Sequence, residues 1–263
     1  MRKDPHNPAR RIPVAVMVVL VIILAIAASR PLSRWWNGVP VHWIAQRGEP
    51  KALVLEDGTR VLLDADSELV TKLGARVRRA LLLRGEALFA VKYDVSRPFE
   101  IEAGRGRIVD LGTRFDVEKL PNAVRVSVYE GRAGVRTAHG EVVLDAGRGG
   151  GYDDSGALLP VDPVDAATML QANGERHFDS EPLGAVIARL ARYHSTAFVF
   201  ATPELEKLLV SGTFQVTDLE LFLRTLSIAL PIEARWIGPQ RVELVPHQRA
   251  HGRSPRGQGD GSE

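Results

Sequence analysis

The chain has 263 residues, 45% hydrophobic and 25% charged, with 34 basic and 32 acidic side chains and no cysteine. That is enough for one or two domains with real cores, and a net charge of +2 gives a nucleic-acid role no bulk support. The lack of cysteine excludes disulfides, thiolate metal sites and thiol catalysis, and leaves the compartment open.

Residues 1–11 form a polar tail carrying Arg2, Lys3, Arg10 and Arg11. An uncharged apolar run, residues 12–29, follows with Pro13 at its start. It reads as a single N-terminal membrane helix, at the short end for a hydrocarbon core of about 30 Å. Arg30 and Arg34 suit snorkelling, and Trp35 and Trp36 suit the far interface. The alternative is a cleaved signal peptide, with Arg10-Arg11 as its basic region and Ala25-Ile26-Ala27 as its cleavage site. Under either reading the basic end stays inside and residue 30 onward is exported.

Residues 39–150 read as an all-β sandwich, roll or barrel-like stack of eight to ten short strands, with no amphipathic helix. Leu53 and Leu55 precede Asp57-Gly58, and Val61 and Leu63 follow it, which is a hairpin signal. Gly85 separates two apolar runs in LLLRGEALF, and residues 107–117 form one further run. Val124, Val126 and Val128 share a face; Glu130-Gly131 and His139-Gly140 mark turns. Residues 147–163 are rich in Gly, Asp and Pro and read as a linker, overlapping the connecting region placed at 151–174.

From residue 175 to 246 the period changes to that of a small α/β domain, ordered β-α-β, β-α-β-β. Ser180 and Pro182 suit the start of a helix on which Leu183, Val186, Ile187 and Leu190 share one face. Asp218 suits the cap of a second helix with Leu219, Phe222, Leu223 and Leu226 on one face, ended by Pro231. Gly238-Pro239 lies between two closing strands. Residues 247–263 have no apolar content and read as a disordered tail.

No catalytic constellation, cofactor site or metal site stands out. His177, Asp179 and His194 lack metal-site spacing, and Asp64, Asp66 and Glu68 are too few for a calcium loop. Gly104-Arg105-Gly106 and residues 147–151 do not join a strand to a helix N-terminus, so phosphate cradling lacks its geometry. Ser211-Gly212 lacks the surroundings of a nucleophile elbow. No pair of carboxylates suits glycosidic chemistry. The chain therefore reads as a non-enzyme.

Several motifs in a fixed order resemble the FecR family of transmembrane iron-transport regulators. They comprise Leu55, Asp57, Gly58, Val61, Leu63, Ser67 and Leu69; the R-G-E-A-L-F-A-V…R-P-F-E-I series around Glu86 and Arg97; V-D-L-G-T-R-F-D-V at 109–117; and V-S-V-Y-E-G-R-A-G-V with Glu130 and Gly131. The C-terminal F-D-S-E-P-L-G-A-V and S-G-T-F-Q-V-T-D-L-E stretches resemble the short N-terminal module of secretin and TonB-linked proteins. The resemblance implies an inner-membrane protein, N-terminus cytoplasmic and bulk periplasmic. It implies two partners: the N-terminal signalling domain of a TonB-dependent outer-membrane receptor, and an extracytoplasmic-function (ECF) sigma factor.

The family's long cytosolic segment has no counterpart in residues 1–11. A start upstream, a separate sigma-binding chain, or a role without a sigma factor would each account for that. The alternative function is a non-signalling scaffold of the envelope or of a secretion system. Partner contact is expected by strand addition at residues 210–216, with Val210, Gly212, Phe214 and Val216 as the candidate residues. Glu86, Arg97, Gly112, Glu130 and Gly131 are read as fold-makers.

Overall fold

The computed structural model describes residues 38–247, apart from positions 77 and 111. The tail expected at 1–11, the membrane helix expected at 12–29 and all but the first residue of the tail expected at 247–263 lie outside the described residues. Among those described, no helix is long and apolar enough to cross a membrane.

The protein is mainly β. The first unit contains β1 (Val39–Ala45), β2 (Lys51–Val54), β3 (Arg60–Leu63), β4 (Ser67–Leu73), β5 (Arg78–Ala90), β6 (Phe99–Ala103), β7 (Gly106–Asp110), β8 (Arg114–Lys119), β9 (Ala123–Glu130), β10 (Arg132–Thr137), β11 (Gly140–Asp145), β12 (Arg148–Asp153) and β13 (Asp162–Pro163). These exceed the expected eight to ten strands. One reason is that residues 107–117 are not a single run. Between Asp110 and Arg114 the chain passes from one sheet to another, which splits the run into β7 and β8.

Two sheets share β5. One runs β1-β4-β5-β6-β7-β10-β11 and the other β2-β3-β5-β8-β9-β12-β13. Inward-facing side chains such as Leu63, Leu82, Phe89, Phe99, Phe115 and Val126 are fully buried between them. β5 joins the sheets by bending at Gly85. Its first half pairs with β4 and β6, its second half with β3 and β8. The glycine has φ +80°, and a β-carbon there would fall 1.9 Å from Ser67 Oγ. Gly85 is thus a corner within one strand, where the local pattern reads as a break between two.

The glycine-rich stretch at 147–153 is likewise not a free linker. It supplies the β11–β12 turn and then β12, paired with β9. Residues 161–164 cross so closely over it that a β-carbon on Gly149 would lie 2.5 Å from Val164. In the connecting region Ala166–Thr168 form one 3₁₀ turn, capped by Asp165.

The second unit contains β14 (Glu175–Pro182), α1 (Leu183–Leu190), β15 (Ala197–Phe200), β16 (Leu209–Gln215), α2 (Leu219–Ala229), β17 (Ile232–Gly238) and β18 (Arg241–Pro246). This is the expected element order. β14 pairs antiparallel with β16, while β15, β18 and β17 form a separate sheet. The apolar faces of both helices meet in a second core with Phe178, Phe214, Val242 and Leu244. Asp218 caps α2 as expected, accepting from Leu221 N–H. Ser180 does not cap α1. β14 continues through a bulge to Pro182, which occupies the cap position, and Ser180 N–H donates to Ser211 Oγ.

Gly85→Ala forces a left-handed backbone on a residue with a β-carbon and a clash at Ser67. We expect a loss of about 2–4 kcal/mol, read as a lowered urea midpoint at unchanged m-value.

Candidate functional site

The outer face of the β5-β8-β9 sheet carries charge where the inner face carries Phe89, Phe115 and Val126. In the β5–β8 register Glu86 stands directly opposite Glu118, and Leu88 opposite Asp116. Two carboxylates facing each other across a ladder repel. They are nonetheless buried, with 2% and 5% of their surface exposed. Asp64, just after β3, is fully buried beside them.

The second unit supplies the countercharge. Arg176 on β14 grips Glu86 with both terminal nitrogens at 2.8 Å, and its Nη2 also donates to Asp64 Oδ2 at 2.8 Å. Arg189, on the apolar edge of α1, grips Glu118 through Nε (2.8 Å) and Nη2 (2.6 Å). Arg192 lies between them. Its Nη1 donates to Glu86 (2.8 Å) and Asp64 (3.2 Å), and its Nη2 donates to Glu118 (2.8 Å). The Tyr193 hydroxyl donates to Asp64 Oδ1. Each of the three acids thus receives donors from more than one side chain of the other unit, in the bidentate geometry that favours arginine. At the rim, Glu181 lies 3.5 Å from both Arg125 and Arg189.

Four acids face three arginines in the cluster. Three guanidiniums offset Asp64, Glu86 and Glu118, and Asp116 remains. Burial, and then the neighbouring charge of Glu86, push its pKa well above the usual carboxylate range. That favours its protonated form, which has a proton to donate towards Glu86. Burial opposes ionisation of Glu86 and Glu118 as well, yet Arg176 outweighs it at Glu86 and Arg189 at Glu118, so both pKa values fall. The arginines are driven further towards the charged form: burial opposes this, and Glu86 for Arg176, with Glu118 for Arg189 and Arg192, overcomes it. Asp116 and Arg176 also line a cavity of about 70 Å³, which has room for hydrogen-bonding water.

The sequence-level candidates lie elsewhere. Val210, Phe214 and Val216 are buried in the second core, and Gly212 sits in β16 with φ +127°. The structure therefore gathers three of them by packing and leaves the main chain of β16, paired only with β14 among the described residues, as what that strand offers a partner. His177 shares a hydrogen bond with Thr213, and His194 Nε2 donates to the Val216 carbonyl. Asp66 and Glu68 pair with Arg84. Among the described residues no group of three or more His, Asp or Glu is placed to hold a metal ion.

The charge cluster was missed at the sequence level, where Glu86 passed as a fold-maker. A usable signal was present. Glu86 is followed directly by Ala87, Leu88 and Phe89; Asp116 and Glu118 alternate with Phe115 and Val117; Arg189 borders the apolar stripe of α1. Charges embedded in core-forming patterns ask for buried partners.

Comparison with known proteins follows the same two units. Residues 43–134 match the family model for FecR protein, and residues 176–243 match the model for FecR, C-terminal. The chain belongs to the FecR family. The charge cluster thus joins the two FecR-family segments. In fold the chain is similar to a proposed anti-sigma factor from Parabacteroides distasonis, with a TM-score of 0.71 at 22% identity over 79% of this chain and 99% of that one. A second crystal structure of a proposed anti-sigma factor from the same strain gives 0.71 at 22% identity over 78% and 98%. No curated protein matches the chain by sequence.

Removing one buried partner leaves its arginines uncompensated, so Glu86→Ala is expected to cost about 3–5 kcal/mol in urea unfolding. Asp116 has the opposite sign of pH dependence from Glu86 and Glu118. Its raised pKa contributes stability that is complete below about pH 4, the ordinary aspartate value, and is lost as pH rises through the raised value. Glu86 and Glu118 contribute stability present above about pH 4 and lost as pH falls through their lowered values. Asp116→Asn, which keeps a donor for Glu86, is expected to abolish the alkaline decline while leaving the acid limb. Unfolding midpoints measured from pH 4 to 9 check this.

Proposed function

We propose that this FecR-family chain regulates a sigma factor from the membrane by protein–protein contact, relaying the occupancy of a TonB-dependent outer-membrane receptor. The observation that supports the reading is the arginine–carboxylate cluster, which couples the C-terminal unit to the β unit through charge rather than an apolar seal. A relay requires that contact at one unit be felt by the other. Family membership supports the sigma-factor end, and the fold of the Parabacteroides proteins is consistent with it.

The receptor's signalling domain docks on the C-terminal unit by adding a strand to β16. With Val210, Phe214 and Val216 committed to the core, the contact is made by main-chain groups, and Gly212 lets another backbone approach. The apolar run at 12–29 anchors the chain in the inner membrane, with residues 39–246 in the periplasm.

The test uses the full chain in its native membrane, with a reporter for the sigma factor and pull-down of receptor signalling domains. The wild-type protein is expected to bind one such domain and to make the reporter inducible. Arg192→Ala, which loosens the cluster without touching β16, is expected to keep receptor binding while the reporter loses most of its response to inducer. If no receptor domain binds and deleting the chain leaves the reporter unchanged, the relay is wrong. Co-purification with a secretion complex instead would make the chain a scaffold.

A further inference from the structure

The three-stranded sheet β15-β18-β17 ends in β17, whose outer edge no strand covers among the described residues. The alternation of antiparallel bonds fixes which of its groups face outward. His247 N–H donates to the Pro231 carbonyl, so Glu233 and Arg235 exchange bonds with β18, while Ala234 and Trp236 turn their N–H and C=O to the open edge. The Ile232 carbonyl faces the same way, and its N–H donates to the Leu230 carbonyl. Sheet edges are commonly blunted by proline, lysine or a bulge. From Ile232 to Trp236 this one carries none of these, and its bulge comes only after Trp236.

The edge is complementary to itself. Ile232-Glu233-Ala234-Arg235-Trp236 reads apolar, acid, alanine, base, apolar, so reversing it swaps only the charges. Glu233 and Arg235 lie on the side of the sheet away from the second core, bonded at 2.9 Å and with 48% and 45% of their side chains exposed. A second antiparallel copy, related by a two-fold axis at Ala234, sets Glu233 opposite Arg235 and Ile232 opposite Trp236. Every charge then has an opposite charge beside it, both along its own strand and across the pair. An axis at Arg235 would instead set that arginine against itself. With the axis at Ala234, two main-chain bonds join the facing alanines and two more run from Trp236 N–H to the Ile232 carbonyl. On the other side of the sheet Trp236, 51% exposed, becomes a diagonal neighbour of the second copy's Ala234. That alanine lines an open cleft of about 200 Å³ beside α2, together with Leu223, Arg224 and Ser227.

We propose that β17 is a self-association edge, at which two copies of this chain pair antiparallel about Ala234 and join their three-stranded sheets into one. The contact is isologous, with the same patch contributed by both copies. The inverted charge pattern selects a second copy over an unrelated strand. A contact this short gives a weak, transient dimer. β16 lies in a different sheet, so a receptor strand there does not compete for this edge, and the inference stands apart from the receptor reading.

The test uses the full chain in detergent micelles, made with two different tags, and reads association by co-purification and by sedimentation across micromolar concentrations. The wild-type chain is expected to dimerise. Glu233→Arg gathers four arginines at the contact and Arg235→Glu gathers four acids, and each is expected to weaken dimerisation about tenfold or more. Mixing the two single variants is expected to restore association, because each arginine-bearing edge then meets an acid-bearing one. The double variant Glu233→Arg with Arg235→Glu is expected to dimerise with itself. The proposal is overturned if the wild-type chain stays monomeric throughout, the result expected when a different protein's strand occupies β17. It is also overturned if the single variants associate as tightly as wild type, which would place the contact elsewhere in the chain, or if mixing them restores nothing.

Discussion

Glu86 and Glu118 face each other on one sheet, and that juxtaposition cannot be left alone. In water the pair would be tolerable; buried, it needs cations, and from the β unit only Arg125 stands nearby, opposite Glu118 across β8–β9 and paired at the rim with Glu181. The countercharge comes from Arg176, Arg189 and Arg192 of the second unit, with Arg125 at the rim. The outer face of the β5-β8-β9 sheet is therefore built to be covered by one particular surface. Both halves of the molecule carry residues that make sense only in the presence of the other half.

An apolar interface would have been simpler. Buried ion pairs contribute little net stability, because desolvation of several kcal/mol per ion offsets their attraction. What they supply is orientation. Two bidentate arginines fix the angle and register of α1 and β14 against the sheet, which smooth apolar packing would not. They also make separation less costly, because exposed guanidiniums and carboxylates are rehydrated while exposed leucines are not. The cluster suits an interface that holds one arrangement firmly and can be released. Asp116 completes this logic. A fourth ionised acid would leave one negative charge in excess, and burial with the charge of Glu86 favours the protonated form of its carboxyl.

Much of the fold was legible from alternation and capping. The hairpin at Asp57-Gly58, the shared face of Val124, Val126 and Val128, the helix stripes and the Asp218 cap all follow from residues within a few positions of one another. What was not legible depends on distant chain. Gly85 looks like a break locally, yet β5 is held on both sides of it by strands from elsewhere. Ser180 looks like a cap, but pairing with β16 carries β14 past it. The charge cluster is the extreme case, since Arg176 meets Glu86 across 90 positions and Asp64 across 112. Local pattern can mark such charges as out of place; it cannot name their partners.

β5 also bears on how a contact at the C-terminal unit could reach the start of the β unit. Just past the corner at Gly85, Glu86 takes part in the cluster. At the start of the strand, Arg78 is buried over the Phe99 ring and donates to Asp57 of the β2–β3 hairpin and to the carbonyls of Lys92 and Arg97. The eight residue steps from one to the other correspond to about 26 Å of extended strand. Buried charge thus holds the strand at Arg78 and again at Glu86, on either side of the corner at Gly85. At its start it meets the β2–β3 hairpin through Asp57. The bend at Gly85 lies immediately beside the cluster, at the one residue of β5 where the backbone turns a corner. A motion of the second unit would therefore act close to a hinge-like corner, with the rest of the strand as its lever arm.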